Sequence, residues 1–334
     1  MVRSTASESA ARQPETVLVT GALGYIGDQL MTRLIAAPDF IDSRILALDQ
    51  RAPDQLPTWA ADPRVTVSAG DLTDPAVRDD VLEVEPDVVF HLAGILGGAA
   101  ETDYESARRV NVDGSLRLLE GLRTQAMQGR AARVVYASSI AVFGPPLPAV
   151  VDDATHPVPV MTYGGQKLMI EGAIEQFSAR KWIDGLALRL PGIVAREDTD
   201  SRQISAFLSA VFYAARDRRS LTLPVSPHGR TWLLSARAVI DSLIHAALLS
   251  SERLGTRRAM TLPAQVVRME QLVEALDECF PGSRSLISYA PNTDIEAQFA
   301  SQPLLSTELA EGLGFECDAD LFALIAHAFE SEGN

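Results

Sequence analysis

The chain has 334 residues, 47% of them hydrophobic and 22% charged, which is enough apolar material for one large core or two smaller ones. A formal charge of -15 argues against nucleic acid as a partner, because phosphate backbones would be repelled and no basic run offsets the charge. The first fourteen residues (MVRSTASESAARQP) lack an apolar signal segment and read as a flexible N-terminal arm. No apolar stretch reaches 18 residues, and the only cysteines, Cys279 and Cys317, lack metal-ligand spacing. The expectation is a cytoplasmic protein with no membrane span and no metal.

From Thr16 onward, apolar β-rich runs alternate with amphipathic stretches. TVLVT is followed by a helical YIGDQLMTRLIAA, then by RILAL, VTVSA, a helix from about Ala76 to Val84, and DVVFHLA. The alternation continues through a helix around Ser106 to Leu122, the strand RVVYA, a helix from about Tyr163 to Ala179, and the strand GLALRL. Such βαβ units predict an α/β fold: a Rossmann-type doubly wound parallel sheet of six or seven strands over 15–190. After Pro191 the texture becomes irregular and charged (AREDTDSRQ, TLPVSPHGR), interleaved with the helices AFLSAVFYAARDRR and ARAVIDSLIHAALL. Residues 191–334 therefore read mainly as a smaller C-terminal substrate-binding region.

The segment VLVTGALGYIGDQL places Gly21, Gly24 and Gly27 between a strand and a helix. Gly21 permits the tight turn, Gly24 lets backbone approach a pyrophosphate, and Gly27 lets the helix pack on the strand. The helix N-terminus then favours the phosphate charge, and a bound dinucleotide follows. Asp49 closes the second strand, where a carboxylate accepts the adenosine ribose hydroxyls and repels a 2′-phosphate, so NAD is favoured over NADP. Arg51 is the countersignal.

TYGGQK sets Tyr163 and Lys167 at i and i+4, on one side of a helix. A phenol is a poor base at neutral pH, and a nearby ammonium favours its phenolate. Lys167 and Lys181 are the only lysines, so a Tyr-x-x-x-Lys pair is expected by chance only about 0.04 times. Upstream, Ser138 and Ser139 fall at the carboxyl end of the strand RVVYA, the sheet edge where ligands bind; either hydroxyl could hold a substrate oxygen, or serve the turn instead.

The motifs TGALGYIG, AGDLTD, HLAG, NVDG, YASSIAVFG, TYGGQK and LRLPG together make the chain resemble the extended short-chain dehydrogenase/reductases, the NAD-dependent epimerase/dehydratase family. Within that family it is most similar to the D-erythronate dehydrogenase group, through HLAGILGGAAETDYESARRVNVDG, SSIAVFGPPLP, WIDGLALRLP and RTWLLSARAVIDSLIHAA; it departs from that group at AREDTDSRQISAFLSA. The resemblance implies Ser139, Tyr163 and Lys167 as catalytic residues, with Ser138 beside them toward substrate. It implies cofactor contacts from Gly21, Gly24, Tyr25, Ile26, Gly27, Asp49, Asp71, Leu72, Leu92, Ala93, Gly94, Asn111, Tyr163, Lys167 and Pro191. Asp71 and Leu72 would approach the adenine, and Asn111 would support the active-site helix. The implied reaction is NAD-dependent oxidation of a small sugar acid by a homodimer paired through the helices of Asn111 and Tyr163, with Leu168, Met169 and Ile170 available to the pairing.

A nucleotide-sugar epimerase shares the fold and the catalytic residues. A dehydratase would need an acidic pair where Ile140 and Ala141 stand, and a non-catalytic NAD-binding regulator would have no use for Tyr163 and Lys167. His91, on the apolar strand, reads as a core histidine. Arg230 is a candidate grip on a substrate carboxylate, with a surface salt bridge as the competing role, and Arg196 and Arg202 share that ambiguity.

Overall fold

The computed structural model describes residues 13–196 and 204–330. Most of the expected N-terminal arm, and Arg202, lie outside the described residues.

The strands that matter here are β1 (Thr16–Thr20), β2 (Arg44–Asp49), β3 (Val65–Ala69), β4 (Val88–His91), β5 (Arg133–Ser139), β6 (Asp184–Leu190), β7 (Gly192–Val194), β8 (Arg230–Ser235), β9 (Ala259–Thr261) and β10 (Gln265–Arg268). Seven of them form one sheet in the order β9-β6-β5-β4-β1-β2-β3, and every pairing in it is parallel. The doubly wound parallel sheet expected from the alternation is present. Strand order reverses beside β1, so a crevice opens beyond the paired ends Thr20 and His91.

The helices that flank the sheet or build the cap are α1 (Tyr25–Ala36), α2 (Pro75–Glu83), α3 (Ser115–Met127), α4 (Thr162–Ala179), α5 (Phe207–Arg216), α6 (Ala236–Leu248), α7 (Met269–Cys279) and α8 (Leu321–Ala328). Successive strand residues face opposite layers, which is why TVLVT is apolar throughout. Val17 and Val19 pack with Leu30 and Leu34 of α1 and with Val239 and Leu243 of α6. Leu18 packs with Leu118 and Leu122 of α3 and with Ile170 and Ile174 of α4. A second core joins α5, α7 and α8, through Val211, Phe212, Leu272, Leu276, Leu324 and Ile325. Beside it lies the small sheet β10-β8-β7.

Two expectations are refined. The boundary at 190 does not separate sheet from cap: the chain leaves the small sheet at the end of β8, α6 then covers one face of the main sheet, and β9 supplies that sheet's seventh strand. Arg133 on β5 fastens α6 by donating to the carbonyls of Ala246 and Leu249. The helix expected around Ser106 to Leu122 is interrupted by a π-helical turn, Arg109–Gly114, whose extra residue swings Asn111 inward.

Candidate active site

Two adjoining cavities fill the crevice, sharing Gly21, Gly24, Leu92 and Gly94. The smaller is lined by Asp49, Asp71, Leu72 and Ala93, and the larger by Tyr25, Ile26, Gly27, Ser138, Ser139, Tyr163, Lys167 and Pro191. An elongated groove with a glycine waist suits a dinucleotide whose two halves lie on either side of its diphosphate.

The waist is built from backbone. Gly21 has φ +73°, and a Cβ there would come within 2.8 Å of the Ala93 nitrogen; one on Gly27 would fall 2.1 Å from the Gly21 carbonyl oxygen. Side chains would fill the cradle. Gly24 caps α1 without a side-chain bond, which leaves first-turn amides for an anionic group. Asp49 accepts from the Leu23 amide at 3.0 Å and the Gln50 amide at 2.7 Å, so it braces the turn as well as facing the cavity. Burial works to raise the Asp71 pKa, but the Thr73 amide and hydroxyl, helped by Arg109 and Arg117, hold it below the usual carboxylate range. These residues fit NAD.

At the other end, α4 brings Tyr163 and Lys167 to the cleft, with Glu101 accepting from the Thr162 hydroxyl at the helix start. Gly164 decides how close they come. A Cβ there would lie 1.9 Å from the Ala141 carbonyl oxygen, so only glycine lets the helix rest directly on the turn after Ser139. Ser139 accepts from the Ala141 amide at 3.1 Å and hydrogen-bonds Tyr163. The Ser138 hydroxyl is already engaged: it donates to Glu171 at 2.5 Å, and Arg189 pairs with the same carboxylate at 2.8 Å.

The electrostatics differ from the simple expectation that Lys167 lowers the Tyr163 pKa. Burial pushes the Tyr163 phenol up to about 12, opposed first by the Arg196 charge and then by the Ser139 hydrogen bond. Burial also brings the Lys167 ammonium down to about 7, against the pull of Glu171. Lys167 is therefore only partly charged near neutrality. Its Nζ donates to the Ala137 carbonyl at 2.7 Å and lies 5.5 Å from the centre of the Tyr163 ring.

Asn111 lines neither cavity. Its Oδ1 accepts from the Ile95 amide at 2.7 Å, while Nδ2 donates to the Ile95 carbonyl and to Gln166 on α4. It clamps the β4 loop to the helix of Tyr163 and Lys167. His91 is a core histidine, as its strand suggested. The Ser115 hydroxyl donates to the Asn111 carbonyl and so must accept from His91 Nε2, leaving Nδ1 to accept from Thr20. Burial lowers its pKa to about 3, which keeps it neutral.

Arg230 is not brought to the larger cavity. Strand alternation turns its neighbour Thr231 to the cavity wall, so Arg230 faces the other way. Arg196 does line that cavity, as do Gln298, Phe299 and Gln302 from the C-terminal region. Sequence reasoning missed Gly164 and Glu171. A usable signal existed for Glu171, which follows Lys167 by four residues on the same helix face.

Fold and nucleotide cleft together define an NAD-dependent oxidoreductase of the extended short-chain dehydrogenase/reductase class. The model of the NAD dependent epimerase/dehydratase family matches residues 17–233. The D-erythronate dehydrogenase of Cupriavidus necator is 35% identical over 326 residues, covering 95% of this chain and 98% of that protein. The D-erythronate dehydrogenase of Haemophilus influenzae is 31% identical over 320 residues, covering 94% and 98%. A solved structure described as the nucleoside-diphosphate-sugar epimerase from Agrobacterium tumefaciens superposes with a TM-score of 0.88 at 30% identity, covering 99% of each chain. The chain belongs to the NAD dependent epimerase/dehydratase family.

Proposed function

We propose that the protein oxidises the C2 hydroxyl of a small, D-erythronate-like aldonate to the 2-oxo acid. The observation that carries this reading is the convergence of Ser139, Tyr163 and Lys167 on one cavity that borders both the glycine waist and the C-terminal residues Thr231, Gln298 and Gln302. Similarity to two D-erythronate dehydrogenases along nearly the whole chain supports it.

When bound, NAD supplies the hydride acceptor and a positive ring that favours a phenolate beside it. The first-turn amides of α1 would hold its diphosphate, Asp49 the adenosine ribose, Asp71 and Leu72 the adenine side, and Lys167 the second ribose. Ser139 donates to the substrate oxygen. Tyr163, as phenolate, takes the hydroxyl proton while the C2 hydride leaves. The Arg196 charge and the Ser139 hydrogen bond favour the Tyr163 phenolate, with Lys167, only partly charged near neutrality, in a secondary role.

A panel of aldonates and nucleotide sugars, followed by nicotinamide absorbance, tests the reading. Steady NADH formation with D-erythronate is the expected result. Interconversion of a nucleotide sugar without net NADH would favour the second reading, an epimerase, which the description of the Agrobacterium tumefaciens structure supports. The reading includes a homodimer paired along α3 and α4. Met169 is 60% exposed on α4 while Ile170 lies in the core, so Met169→Arg should yield monomers by light scattering.

A further inference from the structure

Arg196 follows β7 and borders the larger cavity. Four other half-buried arginines are paired with carboxylates: Arg64 with Asp62, Arg189 with Glu171, and Arg133 and Arg258 with Asp184. Arg196 differs. Among the described residues, the groups that feel its charge are the phenols Tyr25 and Tyr163, and its Nε is buried without a hydrogen-bond partner. A guanidinium cannot shed its proton to escape burial, so a charge with no carboxylate partner among the described residues suits an anion brought into the cavity.

The place of Arg196 says which part of a substrate that anion belongs to. If Tyr163 meets the reacting hydroxyl, a group close enough to stabilise the Tyr163 phenolate meets a substituent next to the reacting carbon. In a 2-hydroxy acid that substituent is the carboxylate. The competing anion, the cofactor diphosphate, already has the first-turn amides of α1. We infer that Arg196 grips the substrate carboxylate with its planar fork and thereby selects the adjacent hydroxyl for oxidation. This inference rests on the sugar-acid reading above.

The test compares wild type, Arg196→Met and Arg196→Lys with D-erythronate and with erythritol, which has the polyol but no carboxylate; NAD affinity is measured by calorimetry. Arg196→Met should raise the KM for D-erythronate by about 10²- to 10³-fold, the cost of removing one partner of an enclosed ion pair. The preference for D-erythronate over erythritol should collapse by the same factor, with NAD affinity within about 2-fold of wild type. Arg196→Lys should fall between, because a point charge keeps the attraction but loses the two-point geometry. The acid limb of kcat/KM should also move to higher pH in Arg196→Met, since the charge that lowers the Tyr163 pKa is gone.

An unchanged KM in Arg196→Met, or a loss confined to NAD affinity, overturns the inference while leaving the proposed function intact. If wild type oxidises no aldonate, the proposed function falls, and oxalate added to the enzyme with bound NADH decides about Arg196. Oxalate binding that Arg196→Met abolishes sustains the carboxylate grip; binding that is absent, or insensitive to the substitution, overturns it.

Discussion

At the residue scale, burial does more than mutual attraction to set the Tyr163 and Lys167 pKa values. Tyr163→Phe keeps the ring and removes only the acid-base oxygen, so NAD affinity should hold while kcat falls by about 10²-fold or more, read by calorimetry and steady-state kinetics. Lys167 gives a second test, on stability. Its pKa is near 7 in the folded protein against an ordinary 10.5, so between those values the unfolded chain holds more protons than the native state. Stability of the cofactor-free protein should therefore rise with pH across that window, because the native lysine is already neutral and removing the proton from the unfolded chain costs less as pH approaches 10.5; below about 7 the full burial cost applies. Urea denaturation at several pH values should show this rise in wild type and a flatter curve in Lys167→Met. An equal slope in both would mean that Lys167 is not the titrating group.

At the element scale, the active site depends on how closely α4 approaches the turn after β5. Gly164 and Gly165 are adjacent in sequence, yet a Cβ on Gly164 would strike the Ala141 carbonyl while one on Gly165 meets nothing within 4 Å. Gly164→Ala should push the helix off the Ser139 turn and lower kcat by on the order of 10²-fold, because catalysis loses its aligned geometry. Gly165→Ala should keep activity and raise stability by up to about 1 kcal/mol through helix propensity. Thermal melts alongside kinetics separate the two. The end of β2 makes a further prediction: Asp49→Ala should weaken NAD and narrow its advantage over NADP in paired titrations, since the carboxylate both braces the Leu23 amide and faces the smaller cavity.

At the scale of the whole molecule, a buried carboxylate helps to tie the C-terminal region to the end of β8. Asp318 accepts from the Ser235 amide at 2.9 Å and the Ser235 hydroxyl at 2.7 Å, and its Oδ1 lies 2.7 Å from His327 Nδ1 on α8. Ser235 in turn caps α6 by accepting from the Ala238 amide. This clamp joins the β8–α6 junction to the last helix. Asp318→Ala strands several buried donors and should cost about 3 kcal/mol, seen as a lower denaturation midpoint, and should raise KM more than it changes kcat if the cap mainly positions substrate.

The local signals carried much of the answer. The alternation of apolar runs and amphipathic helices determined the parallel sheet, because each strand buried on both faces must be apolar throughout. The glycine spacing marked the cleft waist, and the Tyr-x-x-x-Lys spacing marked a helix face. What the sequence could not supply was decided by contacts between residues far apart in the chain. Arg230 and Arg196 look alike as residues; strand alternation turns one from the cavity, and the end of β7 delivers the other into it. Burial depth, which no local pattern records, set the Tyr163 and Lys167 pKa values against expectation. The seventh strand, Ala259–Thr261, is short and separated from β6 by the cap, so only pairing with β6 reveals it as part of the main sheet. Periodicity reports which face of an element is covered; the partner that covers it is chosen by the fold as a whole.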